Sequence, residues 1–327
     1  MRRTLTAQHD SFALNRPFRI ARGTKFAADL VTVAIGGDGV IGRGEGVPYP
    51  RYGETVEGTL AAIESARELI EGGGGRAELN QVLPPGAARN ALDCALWDWE
   101  LRRAGTRPET LLPPARRVPT AMTVVIDTPA AMAKEAAMLA DYPLIKVKLD
   151  ADNPEARLRA VRAAAPSPAL IVDPNESWDE PLLRAMQPVL VEIGADLIEQ
   201  PVPAGADAFL ENFVPMVPIC ADEAVHTLDD LEQVARRYQA INIKLDKTGG
   251  LTAALDLLAA ARARGLGVMT GCMVSSSLSI APALHLAGQA DFVDLDGPAW
   301  LKEDRAGGVS IAGGYLAPAA PGFWGAG

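Results

Sequence analysis

LIKVKLD (144–150), ALIVDP (169–174), ADLIEQP (195–201), PICADE (218–223), INIKLDK (241–247) and DFVDLDG (291–297) share one pattern: a short apolar run that closes on a charge. Each run has the length and near-continuous hydrophobicity of a strand buried on both faces of a parallel sheet. The closing charges are Lys146 with Lys148, Asp173, Glu199, Asp222, Lys244, and Asp294 with Asp296. Burying that many ions costs on the order of several kcal/mol apiece unless they pair or hold a metal. The C-terminal ends of strands are where a βα barrel assembles its active site. Acids and lysines gathered there read as a metal site with bases beside it.

Two further runs, TAMTVVI (120–126) and GVMTGC (267–272), complete a set of eight strand candidates from Val118 onward. Alanine-rich amphipathic stretches such as 129–140 and 252–264 separate them. Strands alternating with crossover helices imply a parallel sheet, and right-handed crossovers close it into a barrel. The N-terminal part has a different rhythm. TLTAQHDSFAL (4–14) and DLVTVAIG (29–36) are β-rich, and the second meets the turn sequence Gly36-Gly37-Asp38-Gly39 before VIGRGEG (40–46). An antiparallel sheet follows from that punctuation. Helical spacing covers 55–70, ending near Gly72–Gly75, which reads as a flexible linker, and a second helix covers 87–103 and stops at Gly105. Pro113-Pro114 then marks a boundary. The expected division is an α+β capping domain over 1–115, completed by 300–327 packing back on the N-terminal sheet, and a barrel over 116–299.

A chain of 327 residues is long enough for a full barrel and a smaller partner. A formal charge of -10 without a Lys/Arg-rich stripe argues against nucleic acid or an anionic membrane as partner. No apolar segment follows Arg2 and Arg3, and no run approaches the length of a spanning helix, so a cytoplasmic protein is expected. Oligomeric state is left open, with a homo-oligomer allowed. Cys94, Cys220 and Cys272 form no Cys-x-x-Cys pair and read as reduced core thiols. His9, His226 and His285 are scattered, so any metal must be held by oxygen.

Asp173, Glu199 and Asp222 stand roughly one βα unit apart, which places them at neighbouring strand ends. Carboxylates and water suit Mg²⁺, a hard cation that keeps positions open for substrate oxygens. Taken singly, each acid is equally well a helix cap or a surface charge; their shared position is what argues for a site. Lys146 and Lys148 are two apart and point to one side of their strand. Lys244 comes four strands later, across the barrel. A metal between two opposed lysines is the geometry for moving a proton from one face of a carbon to the other. A lysine acts as a base only when its pKa falls, and a cation and a second lysine push it that way, the push here coming from Lys146. With no dinucleotide loop or Walker pattern present, the reaction best served is proton abstraction beside a carboxylate.

The motifs IARGTKF, PYPRYGET, PGAARNALDCALWD, IKVKLD, IVDPNESW, LIEQPVP, ICADE, INIKLDKTGG, GCM and DLDGP, spread over nearly the whole chain, resemble the enolase superfamily and within it the dipeptide epimerases. The resemblance implies a (β/α)7β barrel under an α+β capping domain. It implies Mg²⁺ on Asp173, Glu199 and Asp222, with Lys148 and Lys244 as acid and base. It assigns Asp294 and Asp296 to the α-ammonium of a dipeptide, for which paired carboxylates are chemically suited. Thr123, Arg22 and Lys25 join them in the substrate-binding set, the loop 22–25 meeting the glutamyl side chain. Lys25 stands where close relatives carry arginine, which removes a bidentate fork at that point, and Arg22 or Arg51 would compensate. Pro174 replaces a small residue next to Asp173 and removes one backbone donor. The activity implied is inversion of the glutamyl α-carbon of L-Ala-D/L-Glu in murein peptide recycling. The alternatives are an N-acylamino acid racemase, an o-succinylbenzoate synthase or cycloisomerase, and a non-catalytic metal-dependent binding protein. The Asp-x-Asp pair discriminates among them, because only a dipeptide brings an ammonium group.

Overall fold

A computed structural model describes residues 3–327; Met1 and Arg2, which open the expected capping segment, lie outside the described residues. The chain begins with an antiparallel sheet of β1 (Thr4–Ile20), β2 (Gly23–Gly37) and β3 (Val40–Gly46). β1 and β2 form a long hairpin whose register shifts between Ala13 and Phe18 and which closes with Ile20 opposite Gly23. Only Ala21 and Arg22 lie between those two partners, so Arg22 sits at the hairpin tip and Lys25, opposite Phe18, just behind it.

Four helices follow: α1 (Val56–Ser65), α2 (Arg67–Glu71), α3 (Arg76–Val82) and α4 (Ala87–Ala104). Helix α3, which begins directly after the Gly72–Gly75 link, was not expected. Gly75 caps it, with Glu78 accepting the Gly75 backbone N–H at 3.0 Å, so the glycine run is a tight turn between helices. Helix α4 is held against β3 by alternation in the strand, where Gly42, Gly44 and Gly46 face it. A Cβ on any of the three would come within 2.0–2.3 Å of a carbonyl oxygen of Ala95, Ala91 or Ala87. Backbone therefore meets backbone, and Leu92, Leu96 and Trp99 fill the core between helix and sheet.

After β4 (Val118–Pro119) the barrel runs β5 (Met122–Val124), α5 (Pro129–Met138), β6 (Leu144–Lys148), α6 (Pro154–Ala164), β7 (Ala169–Asp173), α7 (Glu180–Glu192), β8 (Leu197–Glu199), β9 (Ile219–Ala221), α8 (Leu231–Arg237), β10 (Ala240–Ile243), α9 (Leu245–Thr248), α10 (Leu251–Ala263), β11 (Gly267–Gly271), α11 (Ser277–Ala287) and β12 (Phe292–Asp294). Strands β5 to β12 are parallel neighbours in sequence order. The Ala121 N–H donates to Val293 O at 2.8 Å, joining the first strand to the last and closing the barrel. The crossover from β8 to β9 carries a 3₁₀ helix, Ala208–Asn212, in place of an α-helix.

The barrel core is layered by strand alternation. Ile145, Val147, Leu170, Val172, Ile198, Ile219, Ile241 and Ile243 pack outward against the helices. Their neighbours Leu144, Ile171, Leu197, Cys220, Ala240 and Met269 form a separate apolar plug inside. Two residues further along, the same inward face turns polar on every one of these strands except β11, where Gly271 takes the position. Residues 300–327 divide between the two parts of the molecule. Trp300 and Leu301 pack with Ala28 and Leu30 of the antiparallel sheet, while β13 (Ser310–Ala312) and β14 (Tyr315–Ala317) form a small sheet with β4. Phe323 and Trp324 belong to the barrel core.

Candidate active site

Continuing the inward face past the plug gives Lys146 and Lys148 on β6, Asp173 on β7, Glu199 on β8, Asp222 after β9, Asn242 and Lys244 on and after β10, and Asp294 and Asp296 on and after β12. Gly271 on β11 supplies the space: a Cβ there would lie 2.6 Å from Asn242 Oδ1. Sequence reasoning placed Asp296 on the last strand; the strand ends at Asp294, and Asp296 starts the 3₁₀ helix Gly297–Trp300.

The buried charges pair with one another. Lys146 Nζ lies 2.5 Å from Glu199 Oε2, 2.7 Å from Asp294 Oδ2 and 3.0 Å from Asp173 Oδ2. Lys148 Nζ is 2.5 Å from Asp173 Oδ2, and Lys244 Nζ donates to Asp222 Oδ2 at 2.7 Å. Burial alone would lower the pKa of Lys146 and Lys244, but Asp294 and Glu199 in the first case and Asp222 in the second hold both well above the usual lysine range. Burial would raise Asp173 and Asp222, yet Lys148 and Lys146, and Lys244 and Lys247, hold them below the usual carboxylate range. Glu199 goes the other way, pushed up to about 7 by burial and by the nearby Asp173 carboxylate.

Over this floor sits a cavity of about 470 Å³, within the range of small-molecule sites. Its walls include Lys146, Lys148, Asp222, Lys244, Asp294, Asp296 and Thr123 from the barrel, and Arg22, Lys25, Arg51, Tyr49 and Tyr52 from the N-terminal part. Thr123 donates its backbone N–H to Asp296 Oδ2 at 3.0 Å, and Trp300 Nε1 donates to the same oxygen at 3.1 Å. Burial, then the Asp294 charge, push Asp296 up to about 6. Asp294 Oδ1 is buried without a hydrogen-bond partner. At the roof Arg22 pairs with Glu223 at 2.6 Å, and Arg51 grips Glu176 through two bonds of 2.8 Å. Lys25 lies over the Tyr49 ring, 5.0 Å from its centroid.

The structure thus brings Lys146, Lys148, Lys244, Asp222, Asp294, Asp296, Thr123, Arg22 and Lys25 to one cavity, with Asp173 and Glu199 in its ion-paired floor. Pro174 costs Asp173 nothing, because the N–H that reaches Asp173 Oδ1, at 2.9 Å, is that of Asn175, held at φ 47. Sequence reasoning missed Lys247, Asn242, Gln200 and Glu223. Lys247 Nζ donates to Asp222 O, Asp222 Oδ1 and Asn242 O at 2.5, 2.7 and 2.9 Å, and Asn242 Nδ2 donates to Glu199 Oε1 at 2.9 Å. Gln200 Oε1 accepts the Asp222 and Ala224 N–H groups. The signal for Lys247 was present in INIKLDK: one turn of α9 after Lys244 returns it to the same acid.

Among the described residues no group of three or more His, Cys, Asp or Glu side chains stands close enough to cage a metal ion as it is. The donor chemistry nevertheless fits a hard cation. Three ionisable carboxylates converge from adjacent strands, Glu199 Oε2 accepts no aligned hydrogen bond, and the Glu199 pKa is raised first by burial and then by the charge of Asp173, the second of which a cation relieves.

Residues 130–323 match the family model described as enolase C-terminal domain-like, and residues 2–112 match the N-terminal domain of mandelate racemase / muconate lactonizing enzyme. The chain belongs to the enolase superfamily, and it is an isomerase. It is 46% identical over 325 residues to the L-Ala-D/L-Glu epimerase of Escherichia coli (strain K12), covering 96% of this chain and 99% of that one. It is 43% identical over 304 residues to the N-acetyl-D-glutamate racemase of a Pseudoalteromonas species, covering 90% and 95%. An enolase family member of Agrobacterium tumefaciens with homology to dipeptide epimerases, solved with sodium and L-Ala-L-Glu, matches at 48% identity and a TM-score of 0.96 over 99% and 100% of the two chains. The dipeptide epimerase of Enterococcus faecalis V583, complexed with Mg and L-Leu-L-Tyr, matches at 29% identity and a TM-score of 0.89 over 98% of each.

Proposed function

We propose that the protein is a dipeptide epimerase that inverts the glutamyl α-carbon of L-Ala-D/L-Glu, a reaction that fits murein peptide recycling. The observation that carries the reading is one cavity lined both by Lys148 and Lys244, from strands four apart in the barrel, and by the buried pair Asp294 and Asp296. Lys148 and Lys244 address the α-carbon from opposite sides: one removes the proton as a base, the other returns a proton to the opposite face; Lys244, which Asp222 holds charged in this structure, would reach its basic form once that carboxylate turned to a cation instead. Lys146, whose ammonium is kept charged by Asp294 and Glu199, stays cationic and stabilises negative charge as it develops on the substrate carboxylate. Asp294 and Asp296 take the substrate ammonium, which satisfies the unpartnered Asp294 oxygen and offsets the Asp294 charge that, after burial, raises Asp296.

Asp173, Glu199 and Asp222 are the residues that would hold Mg²⁺, which when bound supplies positive charge for the two oxygens of the enediolate. Of the cations at the roof, Arg22 and Arg51 already hold Glu223 and Glu176, so Lys25 is the group left for the glutamyl side chain.

The N-acetyl-D-glutamate racemase relative favours a second reading, racemisation of an N-acylated glutamate. Such a substrate has no ammonium for Asp294 and Asp296. The test compares kcat/KM for L-Ala-L-Glu, N-acetyl-L-Ala-L-Glu and N-acetyl-L-glutamate. Leaving a desolvated charge unpaired costs about 2–5 kcal/mol, so the free dipeptide should lead by roughly thirty-fold or more. Equal turnover of the free and acetylated dipeptides, or preference for N-acetyl-L-glutamate, selects the second reading.

A further inference from the structure

We propose that Lys247, Asn242 and the backbone N–H of Asn175 restrict Asp222, Glu199 and Asp173 to one coordinating oxygen each, and thereby give the site a preference for a small six-coordinate cation over a larger one. The inference rests on the reading above that these three acids hold a divalent cation. In each acid the two carboxylate oxygens have different employment. Asp222 Oδ1 accepts from Lys247 at 2.7 Å while Oδ2 meets Lys244 at 2.7 Å. Glu199 Oε1 accepts from Asn242 at 2.9 Å while Oε2 faces Lys146 without an aligned hydrogen bond. Asp173 Oδ1 accepts from Asn175 at 2.9 Å while Oδ2 meets Lys148 and Lys146. One oxygen per acid is thus turned toward the cavity ammoniums, and the other is tied down.

The ties are rigid. An ammonium has three donors, and Lys247 spends them on three acceptors of 2.5–2.9 Å while only 1% exposed, so it has no proton to exchange with substrate and no freedom to turn. It is a positioning residue. Asn242 is fully buried in the space that Gly271 leaves open. Neither lines the cavity. Ca²⁺ takes six to eight oxygens and often fills its larger shell with carboxylates that give both, whereas Mg²⁺ demands an octahedron of six, which single oxygens and water complete. Withholding the second oxygen of every acid disfavours the larger ion without touching the smaller.

The test uses the full-length protein stripped with a chelator and titrated calorimetrically with Mg²⁺ and, separately, with Ca²⁺. Lys247→Met frees Asp222 Oδ1 and Asn242→Ala frees Glu199 Oε1. Removing the Lys247 charge strengthens the binding of both ions alike, so the ratio of the two dissociation constants isolates the geometric effect. The wild type should prefer Mg²⁺, and that preference should shrink by about tenfold or more in each variant, the scale on which partners of metal ligands act. Circular dichroism checks folding, and because the substitutions act on different acids, either folded variant decides. An unchanged ratio in a folded variant overturns the proposal. Failure of the wild type to bind either ion removes the three-acid reading itself, and this inference with it.

Discussion

Replacing Lys25 by methionine should erase a preference for an acidic second residue while leaving turnover of a neutral dipeptide intact. Lys25 projects from the hairpin tip into the cavity, and no carboxylate of the described residues lies within ion-pair distance of its ammonium; the Tyr49 ring is its neighbour. The two arginines that share the roof are committed to Glu223 and Glu176. Truncating one partner of a desolvated charge pair costs about 2–5 kcal/mol. Lys25 is half-buried, so the low end applies, about 2 kcal/mol or roughly thirty-fold in kcat/KM. The assay measures kcat/KM for L-Ala-L-Glu and for its neutral isostere L-Ala-L-Gln, following epimerisation by α-deuteration in D₂O. The ratio should fall about thirty-fold in Lys25→Met and be retained in Lys25→Arg. A pH series adds a second constraint. Burial lowers the Lys25 pKa, so the preference should be full at neutral pH and fade on the alkaline side, below the range of an ordinary lysine. Equal losses on both dipeptides, or an undiminished preference for glutamate in Lys25→Met, would refute the assignment.

Three further outcomes are expected. Lys148→Ala and Lys244→Ala should each abolish epimerisation yet still exchange the α-proton of one epimer with D₂O; mass spectrometry of the two separate epimers checks this, and a variant that interconverts both normally contradicts a two-base mechanism. Exhaustive EDTA treatment should remove activity and Mg²⁺ restore it, and Asp222→Asn should be inactive with an unaltered circular dichroism spectrum. Asp246, buried and accepting from Val47 and Asn90, is pushed up from 3.8 to about 7 by burial. A raised carboxyl binds its proton more tightly when folded, so stability should decline as pH rises from about 4 to about 7 and then level off. Asp246→Asn should abolish that decline and raise the melting temperature at pH 8, with a ceiling on the order of 4 kcal/mol, while changing little near pH 4.

The barrel was legible because its strands carry charges at one end, a pattern that costs too much anywhere except a shared mouth. The same regularity located Asp173, Glu199, Asp222, Lys148 and Lys244 in one place, since strand order and side-chain alternation fix which face a residue occupies. What stayed hidden depends on distances that periodicity does not encode. Lys247 stood only at the tail of the strand run INIKLDK, and it is the turn of α9 after that strand that returns it to Asp222. Asn242 carries no charge to draw attention, and its role exists only because Gly271 on the next strand has no side chain. Arg22 and Arg51 looked as available to substrate as Lys25; their pairing with Glu223 and Glu176 joins segments more than a hundred residues apart. Helix α3 was lost for a local reason, because glycines that signal a linker also permit a sharp change of direction between two helices.

The glycine-faced strand β3 has a mechanical consequence for the substrate site. With carbonyls of α4 lying where three side chains would be, strand and helix have no slack, and β2, hydrogen-bonded to β3 from Val31 to Gly37, inherits that immobility. The far end of the same β2 carries Lys25 and runs free of β3 altogether. The hairpin is therefore held twice: β3 and α4 fix its root, and its far end rests on the barrel, where Arg19 O accepts the Ile126 N–H at 3.3 Å, Phe18 packs on Trp300 and Arg22 pairs with Glu223. Lys25, which the proposed function gives to the second residue of the substrate, thus sits on a strand fixed at both ends and is aimed by the packing that joins the antiparallel sheet to the barrel.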